Sequence, residues 1–225
     1  MNMDLLSSFL APSGQEGRVY GVTLGVVTNN QDPDGMGRVK VRFPWLADAS
    51  EPAESHWARV LTPMAGNERG LYFLPEVDDE VLVAFEHGRV EFPYILGALW
   101  NGKDKPPESN DDGKNNMRAI KSRSGHIIRL DDTDGDEKIE VLDSSGDNTI
   151  VISTADNAIA ITAKSEITIT ADADVTIQSS NGKLKLSGNG VEITSQAEVK
   201  IEASQNLDLK AGAQLNIKGS MVNIN

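Results

Sequence analysis

Three histidines, one acidic run and one alternating basic strand are the residues of this chain whose types could do chemistry. His56, His87 and His126 lie far apart in sequence. His87 sits in an EHG motif at a predicted strand end and His126 in SGH at a strand start, positions that suit turn and hydrogen-bonding roles better than metal ligation. The run Asp131, Asp132, Asp134, Asp136 and Glu137 invites a calcium reading. An EF-hand loop places its glycine at position 6 and a glutamate at position 12. Counting from Gly135 puts Leu130 at position 1 and Val141 at position 12, so the pattern fails and a solvated hairpin turn is expected. Arg38, Lys40 and Arg42 alternate along one strand and are expected to face solvent or a partner protein. Gly35, Gly37, Gly66 and Gly70 flank turns and form no phosphate loop before a helix. Neither a Ser/His/Asp set nor a carboxylate pair can be assembled, so the sequence predicts no catalytic, cofactor or metal site.

Composition narrows the remaining classes. The 225 residues carry a net charge of −13. A polyanion repels phosphate backbones and anionic headgroups, which argues against nucleic-acid binding. There is no cysteine, hence no disulfide or thiolate metal site. No apolar run approaches the ~20 residues of a membrane span. The first residues lack the basic n-region of a signal peptide. Every aromatic after Trp45 lies no later than Trp100, which separates an aromatic-cored front from an aliphatic rear.

That rear is built from a repeat. Ten apolar-x-apolar dyads, nearly all eight residues apart, start at Ile150–Ile152 and end at Val222–Ile224. Apolar residues at i and i+2 share one face of a strand. The candidate core is Ile159, Ile161, Ile167, Ile169, Val175, Ile177, Leu184, Leu186, Val191, Ile193, Val199, Ile201, Leu207, Leu209, Leu215 and Ile217. Two apolar side chains per octad cannot enclose a core alone. Either three octads form each coil of a single-chain solenoid, or three identical chains wind together as the sides of a prism. No 24-residue period rises above the eight, which favours the intertwined trimer. At two strand spacings per octad, the rod would be on the order of 80 Å long. The residues between the dyads are small, polar or charged, so the rod's ends are its expected interaction sites.

The elements that precede the repeat are short. Residues 1–17 read as a leader in which Leu5, Leu6, Phe9 and Leu10 fit one helical turn docking on a partner. Residues 18–100 read as five strands between Gly-rich turns, best fitted by an OB-fold barrel. Residues 101–116 contain no large apolar side chain and read as a linker. Residues 117–148 form a lead-in, with strands Met117–Leu130 and Lys138–Leu142 around the acidic turn, and 149–225 is the octad needle. The fold expected is all-β, an OB barrel followed by a trimeric triple-stranded β-helix.

Three long segments carry a family likeness. GVTLGVVTNNQDPDGMGRVKVRFPWL, GLYFLPEVDDEVLVAFEHGRVEFPYILGALWNG and MRAIKSRSGHIIRLDDTDGDEKIEVLDSSG resemble, in order, the two halves of the OB domain and the start of the β-helix in central spike proteins of contractile injection machines. These are the phage baseplate protein V and the VgrG-type spikes. The resemblance covers residues 18–225. It implies a homotrimeric, non-enzymatic needle that pierces a target envelope, touches its membrane transiently, and links a hub to a tip. About 17 residues precede the OB segment where VgrG proteins carry a large hub portion, which suits the phage-type layout with a separate hub protein. The resemblance places the leader and barrel against hub and baseplate proteins. It places a PAAR-type tip protein, with an effector in some cases, on Met221, Val222, Asn223, Ile224 and Asn225. No histidine follows His126, so the iron-binding apex of some spikes is not expected, and the linker is too short for a muramidase insert. Assembly in the cytoplasm into a phage-tail-like particle, then release as a virion or injected particle, follows from the same likeness. The rival reading is a monomeric β-solenoid binding module with an OB domain.

Overall fold

The computed structural model describes residues 18–46 and 54–223. The chain divides into two compact units between Glu166 and Ile167. Twelve strands are present among the described residues, all in the first unit, and the only helical segments there are two short 3₁₀ turns.

The front of the first unit is a five-stranded barrel. Its strands are β1 (Val22–Asn29), β2 (Lys40–Arg42), β3 (Arg59–Val60), β6 (Glu80–Phe85) and β7 (Pro93–Ala98), in the order β2-β1-β6-β7-β3. All neighbours are antiparallel except β3 and β7, which run parallel. Val39 and Ala58 close the ring, exchanging backbone hydrogen bonds of 3.0 and 2.7 Å. This closed order is the OB topology anticipated from the turn spacing. Between β3 and β6 a two-stranded hairpin projects, β4 (Ala65–Gly66) with β5 (Arg69–Gly70).

Alternation builds the barrel core. β6 reads half-buried, buried, half-buried along its length, so Val81, Val83 and Phe85 point inward. They meet Val27, Val39, Val41, Phe43, Ala58, Val90 and Ile95. Gly25 lets β1 lie close over this core, since a Cβ there would stand 3.1 Å from Val83 Cγ2 and 3.3 Å from Val41 Cβ. Pro44 ends β2 in a 3₁₀ turn, as its missing N–H requires.

The rear of the first unit is a second antiparallel sheet, a collar of strictly sequential hairpins. It contains β8 (Met117–Lys121), β9 (Ile127–Asp131), β10 (Lys138–Leu142), β11 (Thr149–Ser153) and β12 (Ala158–Thr162). The single strand expected over Met117–Leu130 is in fact two. A turn at Ser122–His126 splits it, closed by Gly125 at φ 96° and by the Ser122 N–H donating to the His126 carbonyl at 2.9 Å. Glycine tolerates that positive φ where another residue would be strained.

In the second unit the backbone is extended, with bends at 172–173, 180–182, 188–189, 196–197, 204–205, 212–213 and 220. No strand is assigned among the described residues after Thr162.

Because Ile95 is fully buried at the centre of the barrel, Ile95→Ala should destabilise this domain by about 2–5 kcal/mol. Denaturant unfolding followed by tryptophan fluorescence checks this; an unchanged midpoint would contradict the packing described.

Candidate assembly interface

The collar sheet has two unlike faces. Strand register places two rows of side chains on one of them. The first row is Arg118, Leu130, Ile139, Ile152 and Ile159; the second is Ile120, Ile128, Val141, Ile150 and Ile161. Nine large aliphatic side chains therefore share this face, each at least 40% exposed. The one charged member, Arg118, lies at a corner and is paired with Asp132. Such a face is much larger than the scattered apolar residues of an ordinary surface, and marks an interaction site.

The opposite face is mixed and carries the charged pairs of the sheet. Arg129 and Glu140 stand directly opposite each other on β9 and β10. Arg129 Nε and Nη2 both donate to Glu140 Oε2, at 2.8 and 2.6 Å. Glu108, from the 101–116 strap, brings Oε1 to 3.8 Å from Arg129 Nη1. Lys138 lies 3.0 Å from Asp136 and 3.9 Å from Asp131. Asp131 was expected in a solvated turn; it is instead buried. It accepts from the Thr133 N–H at 3.0 Å and the Thr133 hydroxyl at 2.5 Å. Those bonds, chiefly the hydroxyl's, hold its carboxyl below the usual range.

The octads of the second unit show a similar surface without a sheet. From Ile167 to Ile217 the dyad side chains are 53–71% exposed. Ile159 and Ile161 lie on β12, inside the collar. Met221, Val222 and Asn223 are exposed. Ile224, Asn225, Leu5, Leu6, Phe9 and Leu10 lie outside the described residues.

Sequence reasoning missed the front part of this face. Ile128–Leu130 and Ile139–Val141 are dyads of the same kind, and their starts stand 11 residues apart, as do those at 139 and 150. A search that allowed the spacing to lengthen would have found them.

On the basic strand, Arg38 and Lys40 are both engaged within the chain. Arg38 Nε and Nη2 donate to Asp32 at 2.8 and 2.6 Å, and Nη2 also reaches Asp34 at 2.6 Å. Lys40 pairs with Glu54 at 2.8 Å. Both cations lie over Trp57, at 5.8 and 5.4 Å from the ring centroid. Asp32 also accepts from the backbone N–H groups of Asp34, Met36 and Arg38, which ties the whole turn together. The Arg38 guanidinium holds the Asp32 carboxyl far below the usual carboxylate range. His126 Nδ1 accepts from the Ser144 N–H at 3.1 Å, a structural role.

With this geometry described, comparison with known proteins places it. Residues 23–100, the barrel, match the type VI secretion system/phage-baseplate injector OB domain. Through this domain the chain is similar to the VgrG-type baseplate and spike proteins. It is 37% identical over 82 residues to the type VI secretion system spike protein VgrG3 of Vibrio cholerae, covering 36% of this chain and 8% of that protein. It is 31% identical over 116 residues to VgrG1a of Pseudomonas aeruginosa, covering 48% and 18%. It is 36% identical over 76 residues to the actin cross-linking toxin VgrG1 of Vibrio cholerae, covering 33% and 7%. The matches thus span a small part of each relative's length.

Asn148 and Ser145 donate to Asp143 and lower its pKa to about 2. Asp32 is lowered as well. A depressed carboxylate stabilises the fold above its unfolded pKa and loses that contribution as pH falls through the folded value. The thermal midpoint should therefore fall as pH drops from about 4 toward 2. Asp32→Asn and Asp143→Asn should each be less stable at pH 6 and show a shallower fall; parallel curves for all three proteins would contradict this. Arg129→Met and Glu140→Leu should each lower the midpoint at pH 7 by stranding one charge, and the double change should recover much of the loss.

Proposed function

We propose that three copies of this chain intertwine into the central spike of a contractile injection machine, and that its work is mechanical. The observation that carries this reading is the aliphatic strip. It runs in sequence from the collar into the octads, and among the described residues of the second unit its side chains stay exposed and no strand pairs its backbone. A single-chain solenoid would pair each strand with the one a coil later, and no such pairing is present among the described residues 167–223. Two sister chains supply both missing partners at once, the apolar neighbours and the edge hydrogen bonds. The injector OB domain at the front supports the same particle.

In this reading the barrel end meets the hub and baseplate. The hairpin side of the barrel suits that contact, because Met64, Leu71, Tyr72 and Phe73 are exposed there. The leader's Leu5, Leu6, Phe9 and Leu10 would join the same contact. Met221, Val222, Asn223, Ile224 and Asn225 would seat a tip protein of the PAAR type, with or without an effector. Sheath contraction then drives the closed prism against the target envelope. The chain supplies stiffness and a narrow cross-section, and the bonds it relies on are noncovalent.

Light scattering of the purified chain tests the assembly. The expected mass is close to 73 kDa, three times 24.2 kDa. A stably folded species at 24.2 kDa would sink the reading.

A further inference from the structure

We propose that the aliphatic face of the collar sheet is where copies of this chain first recognise one another, and that the octads then pair outward from β12. This inference rests on the three-copy reading and adds an order of events and a seat to it.

Three observations carry it. First, strands pair in sequence within one chain as far as β12, and no strand follows it among the described residues. The collar is thus the last part of the aliphatic strip that a lone chain holds in a sheet. A preformed face meets its partner with little further ordering cost, whereas an unpaired extended segment must be ordered as it binds.

Second, the two faces of the collar differ in charge. One carries the Arg129–Glu140 pair with Asp131 and Lys138, and Glu108 of the strap approaches it. The aliphatic face carries no carboxylate among its two rows. For a chain of net charge −13, that is where contact between identical copies is least opposed by repulsion. The occupant is a second copy because Ile150, Ile152, Ile159 and Ile161 belong both to this face and to the octad series.

Third, β12 is an edge strand. Its outer N–H and C=O groups are free to template a strand from a neighbour. Once β12 is paired, each next octad closes a loop of only about eight residues, so loop-closure entropy stays small at every step. Starting in mid-needle would require aligning three segments that have no strand pairing of their own, with eight-residue register errors available to each.

Refolding of the full chain from denaturant, timed by light scattering for mass and by tryptophan fluorescence for the barrel, tests this. Ile128→Asp with Val141→Asp should slow trimer formation at least tenfold while a folded-barrel monomer accumulates. Ile193→Asp with Ile201→Asp should reach trimer mass at close to the wild-type rate, with proteolysis confined to the segment around and beyond the lesion. A milder pair, Ile128→Thr with Val141→Thr, keeps β-branched residues in the strands and should slow assembly severalfold with the barrel signal intact. If the octad pair slows assembly as much as the collar pairs, or if the threonine pair assembles at the wild-type rate, the proposal fails while the trimer stands. A wild-type chain that remains at 24.2 kDa overturns the trimer and this proposal together.

Discussion

Everything in this chain turns on how far one polypeptide can satisfy its own strand edges. In the barrel it can. β3 returns beside β7 and the Val39–Ala58 bridge closes the ring, so an aliphatic core forms at zero exposure from Val27, Val39, Val41, Val81, Val83 and Ile95. Among the described octads it does not. Their side chains are of the same kind as those in the barrel core, yet they remain more than half exposed from Ile167 to Ile217. The difference lies in connectivity and not in hydrophobicity. Burial stabilises only when the chain can return to cover itself.

The collar shows where that ability runs out. Its last three hairpins join five-residue strands through 132–137, 143–148 and 154–157, loops of six, six and four residues. From there the period drops to about eight, which leaves three residues for a turn after a five-residue strand. So short a loop reverses the chain only with special turn chemistry, of which Asn-Gly is the strongest signal. Asn181-Gly182 and Asn189-Gly190 offer that dipeptide. TADAD and TSQAE do not. The backbone accordingly bends at each octad without folding back into hairpins.

Much of this was legible in the residues. The barrel strands announced themselves by alternation between Gly-rich turns, and the octads by a fixed period. What escaped notice shared a physical cause, namely that the informative partner was not at a fixed sequence offset. Ile128–Leu130 and Ile139–Val141 continue the dyad series, but longer loops stretch their spacing to 11. Arg38 looked available because alternation placed it on an outer face. Its partner is Asp32, folded back by a turn whose geometry only the structure provides. Asp131 looked like one more solvated acid, although its position at the end of β9 buries it against Thr133.

The ion pair on the other face of the collar explains how the aliphatic face keeps its composition. Arg129 and Glu140 are cross-strand neighbours, flanked on each strand by the dyads Ile128–Leu130 and Ile139–Val141. Because side chains alternate, a slip of one residue between β9 and β10 would turn one strand's dyad to the polar side and move its charge among aliphatic side chains. Leaving a charge unpaired in such surroundings is far costlier than the modest net gain of the pair itself. The ion pair therefore acts less as a source of stability than as a penalty on misregister. It keeps both rows continuous from β8 to β12, and in the proposed assembly that continuity is what lets three identical strips meet without a gap.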